Sequence, residues 1–225
     1  MLILLDTANI EEIKRQYDLF PVAGVTTNPT IIAKEKTSFL GLLKEIRSVI
    51  GTNTMLHVQA ISRKAEVIVE EAKYLNDEIG GNLYIKIPVI PEGIKAMKLL
   101  KAQGIKTTAT VIYTPQQALM AAMAGAEFVA PYVNRLDNVC SDGVRVVGEI
   151  VELFRQHSVP AKVLAASFKN VEQVHKASLC GSHAITASPD IIDLLLKYPL
   201  TDSSVDQFIS DWEGVYGVGK VTLNV

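Results

Sequence analysis

One lysine stands in a strongly apolar part of the sequence, where its amine could do chemistry. Lys86 lies in the run Leu83–Val89 (LYIKIPV). Burial on a strand would strip this amine of water and disfavour its charged form, so its pKa would fall toward the range in which the neutral amine is a nucleophile. Neutral lysine amines attack carbonyl groups and form Schiff bases. The alternative is that Lys86 ends an exposed edge strand or pairs with a buried carboxylate.

Polar residues also recur near the carboxyl ends of other predicted strands, on the same face as Lys86. Successive side chains along a strand point to opposite faces. The polar face carries Asp6, Asn28, Gln59, Lys86, Thr110, Tyr132 and Ser167. The other face is mainly apolar and carries Leu5, Val58, Ile85, Ile87, Val111, Val129, Val133, Leu164 and Phe168. We therefore predict that the polar side chains converge around one amine, although each of them alone would also suit a helix cap or a satisfied core hydrogen bond.

The elements that must position these residues alternate along the chain as strand and helix, which is the pattern of a parallel sheet with helical crossovers. The predicted strands are residues 2–6, 24–28, 55–60, 83–89, 107–112, 128–133, 162–168 and 183–187. Helix-start signals follow several strands, at Asn9, Thr114, Asn170 and Ser188. Eight such units predict an α/β fold of the closed (β/α)8 TIM-barrel type, whose usual length is about 250 residues.

A barrel of this kind places its functional groups at the carboxyl-terminal rim, with contributions from several strands. The polar face is therefore predicted to face the lumen at that rim. Arg135 lies two residues beyond the predicted end of the sixth strand. It is either a surface salt-bridge partner or, beside a rim site, a ligand for phosphate.

The chain is predicted to form one domain over residues 1–225, because no Ser/Gly-rich or charged linker divides it. After the eighth unit, Val205, Phe208, Ile209 and Trp212 share one helical face. Residues from about 202 to 225 are therefore predicted to add a C-terminal helix and tail to the barrel. This helix either covers the flank of its own barrel or packs on a neighbouring subunit.

The composition argues against several classes of function. Lys and Arg number 22 against 24 Asp and Glu, and no basic stripe is present, so nucleic acid is not an expected partner. No apolar stretch reaches the roughly 18 residues of a membrane helix, and no basic leader precedes Asp6, so we expect no membrane association. Cys140 and Cys180 are isolated, which favours the cytoplasm. The four histidines are scattered, so we expect no metal site. The glycines Gly214, Gly217 and Gly219 follow a helix and no strand leads into them, so they do not form a dinucleotide fingerprint, and we expect no other cofactor.

Several motifs, in this order, resemble the transaldolase family and, within it, the short fructose-6-phosphate aldolase branch. The principal ones are Gly24–Thr30 (GVTTNPT), Ile85–Pro88 (IKIP) and Ala130–Arg135 (APYVNR). Shorter matches at Leu5-Asp6-Thr7, Leu164–Phe168 (LAASF) and Asp211-Trp212 extend the resemblance over essentially the whole chain.

The resemblance implies a metal-free class I barrel aldolase in which Lys86 forms the Schiff base. The catalytic residues would be Lys86, Tyr132, Asp6, Gln59 and Thr110. The substrate-binding residues would be Asn28, Thr26, Arg135 and Ser167, of which Arg135 and Ser167 would hold the phosphate. The resemblance also implies homo-oligomers, as decamers of stacked pentamers, in which the terminal helix reaches onto a neighbour.

Within the family, a tyrosine at the position of Tyr132 goes with aldolase activity, whereas small transaldolases carry phenylalanine there. We therefore expect reversible cleavage of fructose 6-phosphate to dihydroxyacetone and glyceraldehyde 3-phosphate. One alternative is a transaldolase, which uses the same imine but transfers the dihydroxyacetone unit between sugar phosphates. The segment Thr107–Tyr113 mixes features of both branches, and Thr108 would add a hydroxyl to the lumen, so the preferred donor and aldehyde stay open. Another is a non-covalent phosphosugar-binding barrel or isomerase, in which Lys86 stays charged and only attracts an anion.

Overall fold

A computed structural model describes all 225 residues. Eight parallel strands form a closed barrel in sequence order, with helices between successive strands, so the predicted (β/α)8 barrel is confirmed. The strands are β1 (Leu2–Asp6), β2 (Gly24–Thr26), β3 (Met55–Gln59), β4 (Leu83–Pro88), β5 (Thr107–Ile112), β6 (Phe128–Pro131), β7 (Lys162–Ala165) and β8 (Ala184–Ala187). The helices are α1 (Ile10–Leu19), α2 (Pro29–Lys34), α3 (Phe39–Ile50), α4 (Ala65–Ile79), α5 (Pro91–Lys101), α6 (Pro115–Met123), α7 (Val133–Asp137), α8 (Gly143–Gln156), α9 (Val171–Leu179), α10 (Pro189–Leu194) and α11 (Pro199–Tyr216).

Side-chain caps begin several of the helices that follow strands. Asn9 Oδ1 accepts a hydrogen bond from the Glu12 N–H at 3.0 Å. Thr114 and Gln117 form a reciprocal capping box at the start of α6. Asn170 caps α9 as Asn9 caps α1. Each such cap stabilises its helix by about 1 kcal/mol, so the strand-to-helix junctions are fixed largely by local sequence.

A hydrophobic cluster fills the barrel interior on the amino-terminal side. It consists of Leu4, Met55, Tyr84, Phe128, Leu164 and Ala184. Residues paired across neighbouring strands point to the same side of a sheet. The pairing of Gln59 with Lys86 and of Lys86 with Thr108 therefore places these three side chains in one layer, two residues beyond Tyr84 and above the cluster.

Two strands, β3 and β4, end one residue earlier than predicted, and three end two or three residues earlier, because helix starts and loop turns replace their last residues. The strand β2 ends at Thr26 instead of residue 28, since Asn28 already caps α2. The strand β6 ends at Pro131, and Val133 is the first residue of α7. The strand β7 ends at Ala165 instead of residue 168.

Three side chains that were predicted to point outward, toward the helices, point into the barrel instead. Leu164 belongs to the interior cluster and does not face the helices. Val111 has a φ of 62°, where the register between β5 and β6 shifts, and it lines the cavity described below. Phe168 also lines that cavity, directly after Ser167, whose φ is 63°. Simple alternation fails here because the left-handed residues turn the chain out of strand geometry.

The chain divides into two compact units, residues 1–191 with the barrel and residues 192–225. In the second unit α11 begins at Pro199, somewhat before the predicted start, and ends at Tyr216, with Gly217 as its C-cap. Phe208 and Ile209 are exposed by 70% and 52%. Trp212 packs against the Tyr216 ring with a centroid distance of 4.3 Å. No helix in the protein has the length and apolar character needed to cross a membrane.

Candidate active site

A cavity of about 510 Å³ lies at the carboxyl-terminal ends of the strands. Eight of the nine predicted site residues line it, namely Asp6, Thr26, Asn28, Gln59, Lys86, Tyr132, Arg135 and Ser167. The ninth, Thr110, is fully buried and its hydroxyl lies 2.9 Å from the Tyr132 hydroxyl. The closed barrel thus brings together side chains that lie more than 160 positions apart in the sequence, from Asp6 to Ser167.

Lys86 is the buried lysine of this cavity, with 6% of its surface exposed. Its strand β4 pairs with β3 and β5, so Lys86 does not lie on a sheet edge. Its Nζ donates a hydrogen bond to the Thr27 carbonyl oxygen at 2.7 Å, a neutral acceptor instead of a carboxylate. Burial lowers the pKa of Lys86, and the negative charge of Asp6 opposes that shift only in part. The arrangement favours an uncharged, nucleophilic amine.

Asp6 is held at the end of β1 by hydroxyl groups from neighbouring strands. Thr26 Oγ1 donates to Asp6 Oδ1 at 2.7 Å. Thr26 Oγ1 also lies 2.6 Å from the Thr186 hydroxyl of β8. Since a hydroxyl has one proton, Thr186 donates to Thr26 while Thr26 donates to the carboxylate. This chain of hydroxyls orients one carboxylate oxygen and leaves the other able to face the cavity.

Tyr132 lines the cavity between the Thr110 hydroxyl and the Arg135 guanidinium. Its OH lies within hydrogen-bonding distance of Thr110, and the Arg135 guanidinium lies 4.9 Å from its ring centroid. Burial raises the pKa of Tyr132, while the Thr110 bond and the charge of Arg135 work in the opposite direction. The Arg135 Nη1 donates to the Tyr113 hydroxyl at 3.4 Å. The phenol is therefore protonated at neutral pH.

Two of the predicted binding residues also have structural roles. Asn28 Oδ1 accepts a hydrogen bond from the Ile31 N–H and caps α2, which leaves its amide NH₂ for the cavity. Ser167 has a φ of 63°, and its carbonyl oxygen accepts a hydrogen bond from the Asn134 N–H at 2.8 Å. Left-handed backbone at a residue with a side chain costs about 1–3 kcal/mol and is concentrated at functional sites. The turn delivers the Ser167 side chain to the rim after β7 has ended.

Sequence reasoning missed several residues of the cavity. Thr186 and Ser188 of the eighth unit line it, although the predicted polar face stopped at the seventh strand. The alternation of inward and outward side chains along β8 would have predicted both residues. Lys34 and Lys169 also reach the lining, from α2 and from the loop after Ser167. The role of the Thr27 carbonyl had no sequence signal, because any residue type supplies a carbonyl oxygen.

No group of three or more His, Cys, Asp or Glu side chains comes close enough together to hold a metal ion. Cys140 and Cys180 are free thiols. The polar atoms that could act on a substrate in this cavity are those of the lysine amine, hydroxyl, amide, carboxylate and guanidinium groups described above.

Fold and site together define a (β/α)8 barrel with a desolvated lysine in its rim cavity. Residues 3–217 match the sequence model of the Transaldolase/Fructose-6-phosphate aldolase family. The chain belongs to this family, whose members are enzymes of the aldolase and transaldolase type. The family match agrees with the resemblance drawn from the motifs around Asn28, Lys86 and Tyr132.

Solved structures with the same fold are similar in backbone and distant in sequence. A candidate fructose-1,6-biphosphate aldolase from Coccidioides immitis matches with a TM-score of 0.57 and 18% identity, over 83% of this chain and 73% of that chain. Thiamine phosphate pyrophosphorylase from Pyrococcus furiosus matches with a TM-score of 0.58 and 15% identity, over 83% and 84%. These likenesses show the barrel fold, which serves different chemistries.

Proposed function

We propose that the protein is a class I aldolase that reversibly cleaves fructose 6-phosphate to dihydroxyacetone and glyceraldehyde 3-phosphate. The observation that carries this proposal is the buried Lys86 amine, with its lowered pKa, inside a polar cavity at the barrel rim. A lowered pKa increases the uncharged fraction of the amine, and an uncharged amine condenses with a ketone, while the barrel wall around it excludes competing water.

In this mechanism Lys86 Nζ attacks the C2 carbonyl of the ketose, and the carbinolamine loses water to give a positively charged iminium. The iminium draws the electron pair of the C3–C4 bond as that bond breaks. A base takes the proton of the C4 hydroxyl, so that glyceraldehyde 3-phosphate leaves as an aldehyde. The remaining enamine takes up a proton at C3, and hydrolysis of the iminium then releases dihydroxyacetone.

Tyr132 is the proposed base for the C4 hydroxyl, acting through a water bound by Gln59 and Thr110. The 2.9 Å separation of the Tyr132 and Thr110 hydroxyls fixes the direction of the phenol. Burial alone would keep the phenol protonated, but formation of the iminium puts a positive charge in the same cavity and lowers the cost of a phenolate. Proton transfer is thereby linked to the presence of the covalent intermediate.

The remaining groups divide between the two ends of the substrate. Asp6, oriented by Thr26, would shuttle protons or orient donor hydroxyls, and the amide of Asn28 would hold the ketone end. Arg135 and Ser167 would hold the phosphate. The arginine is suited to this because its guanidinium presents several N–H groups to an anion.

The test is reduction with borohydride in the presence of fructose 6-phosphate or dihydroxyacetone. A stable adduct on the peptide that contains Lys86, detected by mass spectrometry, is expected from the wild type and not from Lys86→Met. EDTA should leave the cleavage rate unchanged. Conversion of the sugar phosphate without any adduct would instead support a non-covalent isomerase, and binding with neither conversion nor adduct would support a binding barrel. In both cases Lys86 would only attract an anion.

Transaldolase activity is the second candidate, favoured by the membership of a family that includes both activities. Both reactions pass through the same imine, so trapping does not distinguish them. Free dihydroxyacetone should accumulate from fructose 6-phosphate alone if the protein is an aldolase. Release of glyceraldehyde 3-phosphate only when erythrose 4-phosphate is added would identify a transaldolase.

We also propose that the protein acts in the cytoplasm as a homo-oligomer, with pentamer rings and decamers as the expected assemblies. Exposed apolar side chains on α11, among them Phe208 and Ile209, support a contact between subunits. The free thiols Cys140 and Cys180 are compatible with a reducing compartment.

A further inference from the structure

The side-chain amide of Gln173 joins two segments of chain at the rim of the barrel. Gln173 lies in the first turn of α9, which begins after the cap residue Asn170. Its Oε1 accepts a hydrogen bond from the Lys169 N–H at 2.8 Å. Its Nε2 donates to Asp137 Oδ2 at 2.6 Å and to Asn134 Oδ1 at 3.3 Å. The oxygen thus binds the segment after β7, and the nitrogen binds α7, which follows β6.

The partners of Gln173 determine the orientation of its amide. If the amide were turned over, Nε2 would face the Lys169 N–H, which is also a donor, and Oε1 would face the Asp137 carboxylate, which is also an acceptor. Only the observed orientation pairs a donor with an acceptor at both contacts. The bridge therefore needs an amide at this position, because a glutamate would set its own carboxylate against that of Asp137.

The two joined segments carry Arg135 and Ser167, the residues proposed to hold the phosphate. Asn134 precedes Arg135 on α7, a helix of only five residues. Main-chain hydrogen bonds between the segments end at Ser167, whose carbonyl oxygen accepts from the Asn134 N–H at 2.8 Å. The φ of Ser167 is 63°, so the chain turns away from strand geometry there. The next hydrogen bond that holds this turn toward α7 is the one that Gln173 accepts from Lys169.

Arg135 is otherwise held by few contacts and has no carboxylate partner. Its side chain is exposed and donates one hydrogen bond, to the Tyr113 hydroxyl at 3.4 Å. Both carboxylate oxygens of Asp137 are occupied, one by Gln173 Nε2 and the other by the Gly143 N–H at 2.9 Å. The guanidinium is thus available to an anion. Its place at the rim depends on where the backbone of α7 is held.

We propose that Gln173 is a positioning residue for the phosphate end of the site: its amide holds Arg135 and Ser167 at a fixed spacing and so sets the preference for phosphorylated aldehydes. An anion that binds two groups at once is sensitive to the distance between them. Gln173 does not line the cavity, so it acts through the residues that it bridges. The inference rests on the proposed function, in which Arg135 and Ser167 hold the phosphate.

The experiment compares two aldehyde acceptors, glyceraldehyde 3-phosphate and D-glyceraldehyde, each with dihydroxyacetone as the donor. Gln173→Leu removes the three side-chain hydrogen bonds and keeps a similar volume. The ratio of kcat/KM for the phosphorylated acceptor to kcat/KM for the unphosphorylated one is expected to fall about tenfold, mainly because KM for glyceraldehyde 3-phosphate rises. Both acceptors are measured on one preparation, so a smaller folded fraction cancels in the ratio. An unchanged ratio, equal losses with both acceptors included, would overturn the inference.

The contact with Asp137 provides a rescue test. Gln173→Glu sets two carboxylates against each other and should lower the ratio at least as far as Gln173→Leu. Addition of Asp137→Asn restores an amide–carboxylate pair with the total charge of the wild type, and the Asn134 amide can turn over to donate to the new glutamate. The double variant should therefore recover to within about threefold of the wild-type ratio. A double variant that stays as low as Gln173→Glu would contradict the proposed bridge.

Gln156→Leu is the matched control, because it makes the same chemical change on the neighbouring helix α8. Gln156 Nε2 donates to Glu152 of its own helix at 2.7 Å and joins no segments of the rim. The ratio of the two acceptors should stay at the wild-type value in this variant. A comparable fall in Gln156→Leu would show that the ratio responds to any loss of an exposed glutamine and would contradict the inference.

The proposed function and this inference fail in different ways. A wild type that forms no product from dihydroxyacetone with either acceptor would overturn the proposed aldolase. A wild type that uses both acceptors equally well would overturn the phosphate assignment of Arg135 and Ser167, and this inference with it. A wild type that prefers the phosphorylated acceptor, combined with an unchanged ratio in Gln173→Leu, would overturn this inference alone.

Discussion

At the scale of single residues, the site depends on the protonation states of Lys86 and Tyr132. Lys86 is buried, and its nitrogen is directed by the neutral carbonyl of Thr27. Burial raises the pKa of Tyr132. In the proposed mechanism, the lysine loses its proton before the reaction, whereas the tyrosine loses its proton only after the iminium has formed. This order of events makes the two residues separable by experiment.

Tyr132→Phe should separate cleavage from imine formation. Removal of a general base typically costs about 10²–10⁴-fold in rate, so aldol cleavage should fall by this amount. Borohydride trapping of dihydroxyacetone on Lys86 should fall less than tenfold by comparison. Rates of both steps, measured on the same variant, provide the check. Tyr113→Phe, which lacks the contact with Thr110, serves as the control, and equal losses in both steps of Tyr132→Phe would contradict the assignment.

Lys86→Met should give a more heat-stable protein at neutral pH. Burial puts the folded-state pKa of Lys86 below its unfolded value, so the unfolded chain binds the proton more tightly. The resulting penalty is complete below the folded pKa and disappears as the pH rises toward about 10.5. Each 1 kcal/mol gained corresponds to about 2–4 °C in a domain of this size.

Thermal unfolding at pH 7 and pH 10 measures this effect. The gain in Tm should be larger at pH 7 than at pH 10. Lys169→Met, at an exposed lysine of the same cavity, should leave Tm unchanged. A variant of Lys86 that is less stable than the wild type at pH 7 would contradict the account of its burial.

At the scale of elements, the junction between each strand and the following helix serves both stability and the site. Asn28 caps α2 with its oxygen and lines the cavity. Ser167 and Val111 reach the cavity through left-handed backbone at the ends of β7 and β5. Because barrel strands end at the rim, a residue that starts a helix also borders the substrate space. Structural and functional explanations of these positions are therefore compatible.

Substitutions at Asn28 should separate its two roles. Asn28→Asp keeps an oxygen that caps α2, so stability should stay within about 0.5 kcal/mol, while loss of the amide should weaken substrate binding. Asn28→Ala removes the cap as well and should cost about 1 kcal/mol. Urea unfolding and KM for fructose 6-phosphate are the measurements. Thr114→Ala removes a cap that the cavity does not include and should lower stability without changing KM. An unchanged KM in both Asn28 variants would remove this residue from the binding site.

At the scale of the whole molecule, the long helix α11 exposes several apolar side chains to solvent. Leu200, Phe208 and Ile209 of α11 are exposed by 65%, 70% and 52%. Single exposed apolar residues are ordinary, but several on one helix mark an interaction surface. A symmetric assembly of identical chains would bury this surface on every subunit at once.

Phe208→Glu should therefore dissociate the proposed oligomer. A charge at the centre of an apolar contact is costly to bury, so the variant should sediment as a smaller species in analytical ultracentrifugation. Gln207→Glu adds the same charge at an adjacent position and should retain the wild-type assembly if its side chain faces away from the contact. A wild type that sediments as a monomer at micromolar concentration would contradict the prediction.

The sequence by itself determined the barrel, because eight strand–helix units, their caps and their turns are encoded locally. It also indicated Lys86, since a charged residue in an apolar strand conflicts with its neighbours. Only the tertiary structure decided that the Thr27 carbonyl directs the amine, that Leu164 faces inward and that Val111 lines the cavity. Each of these depends on the register between strands and on barrel closure, which bring together residues whose separation along the chain carries no local signal.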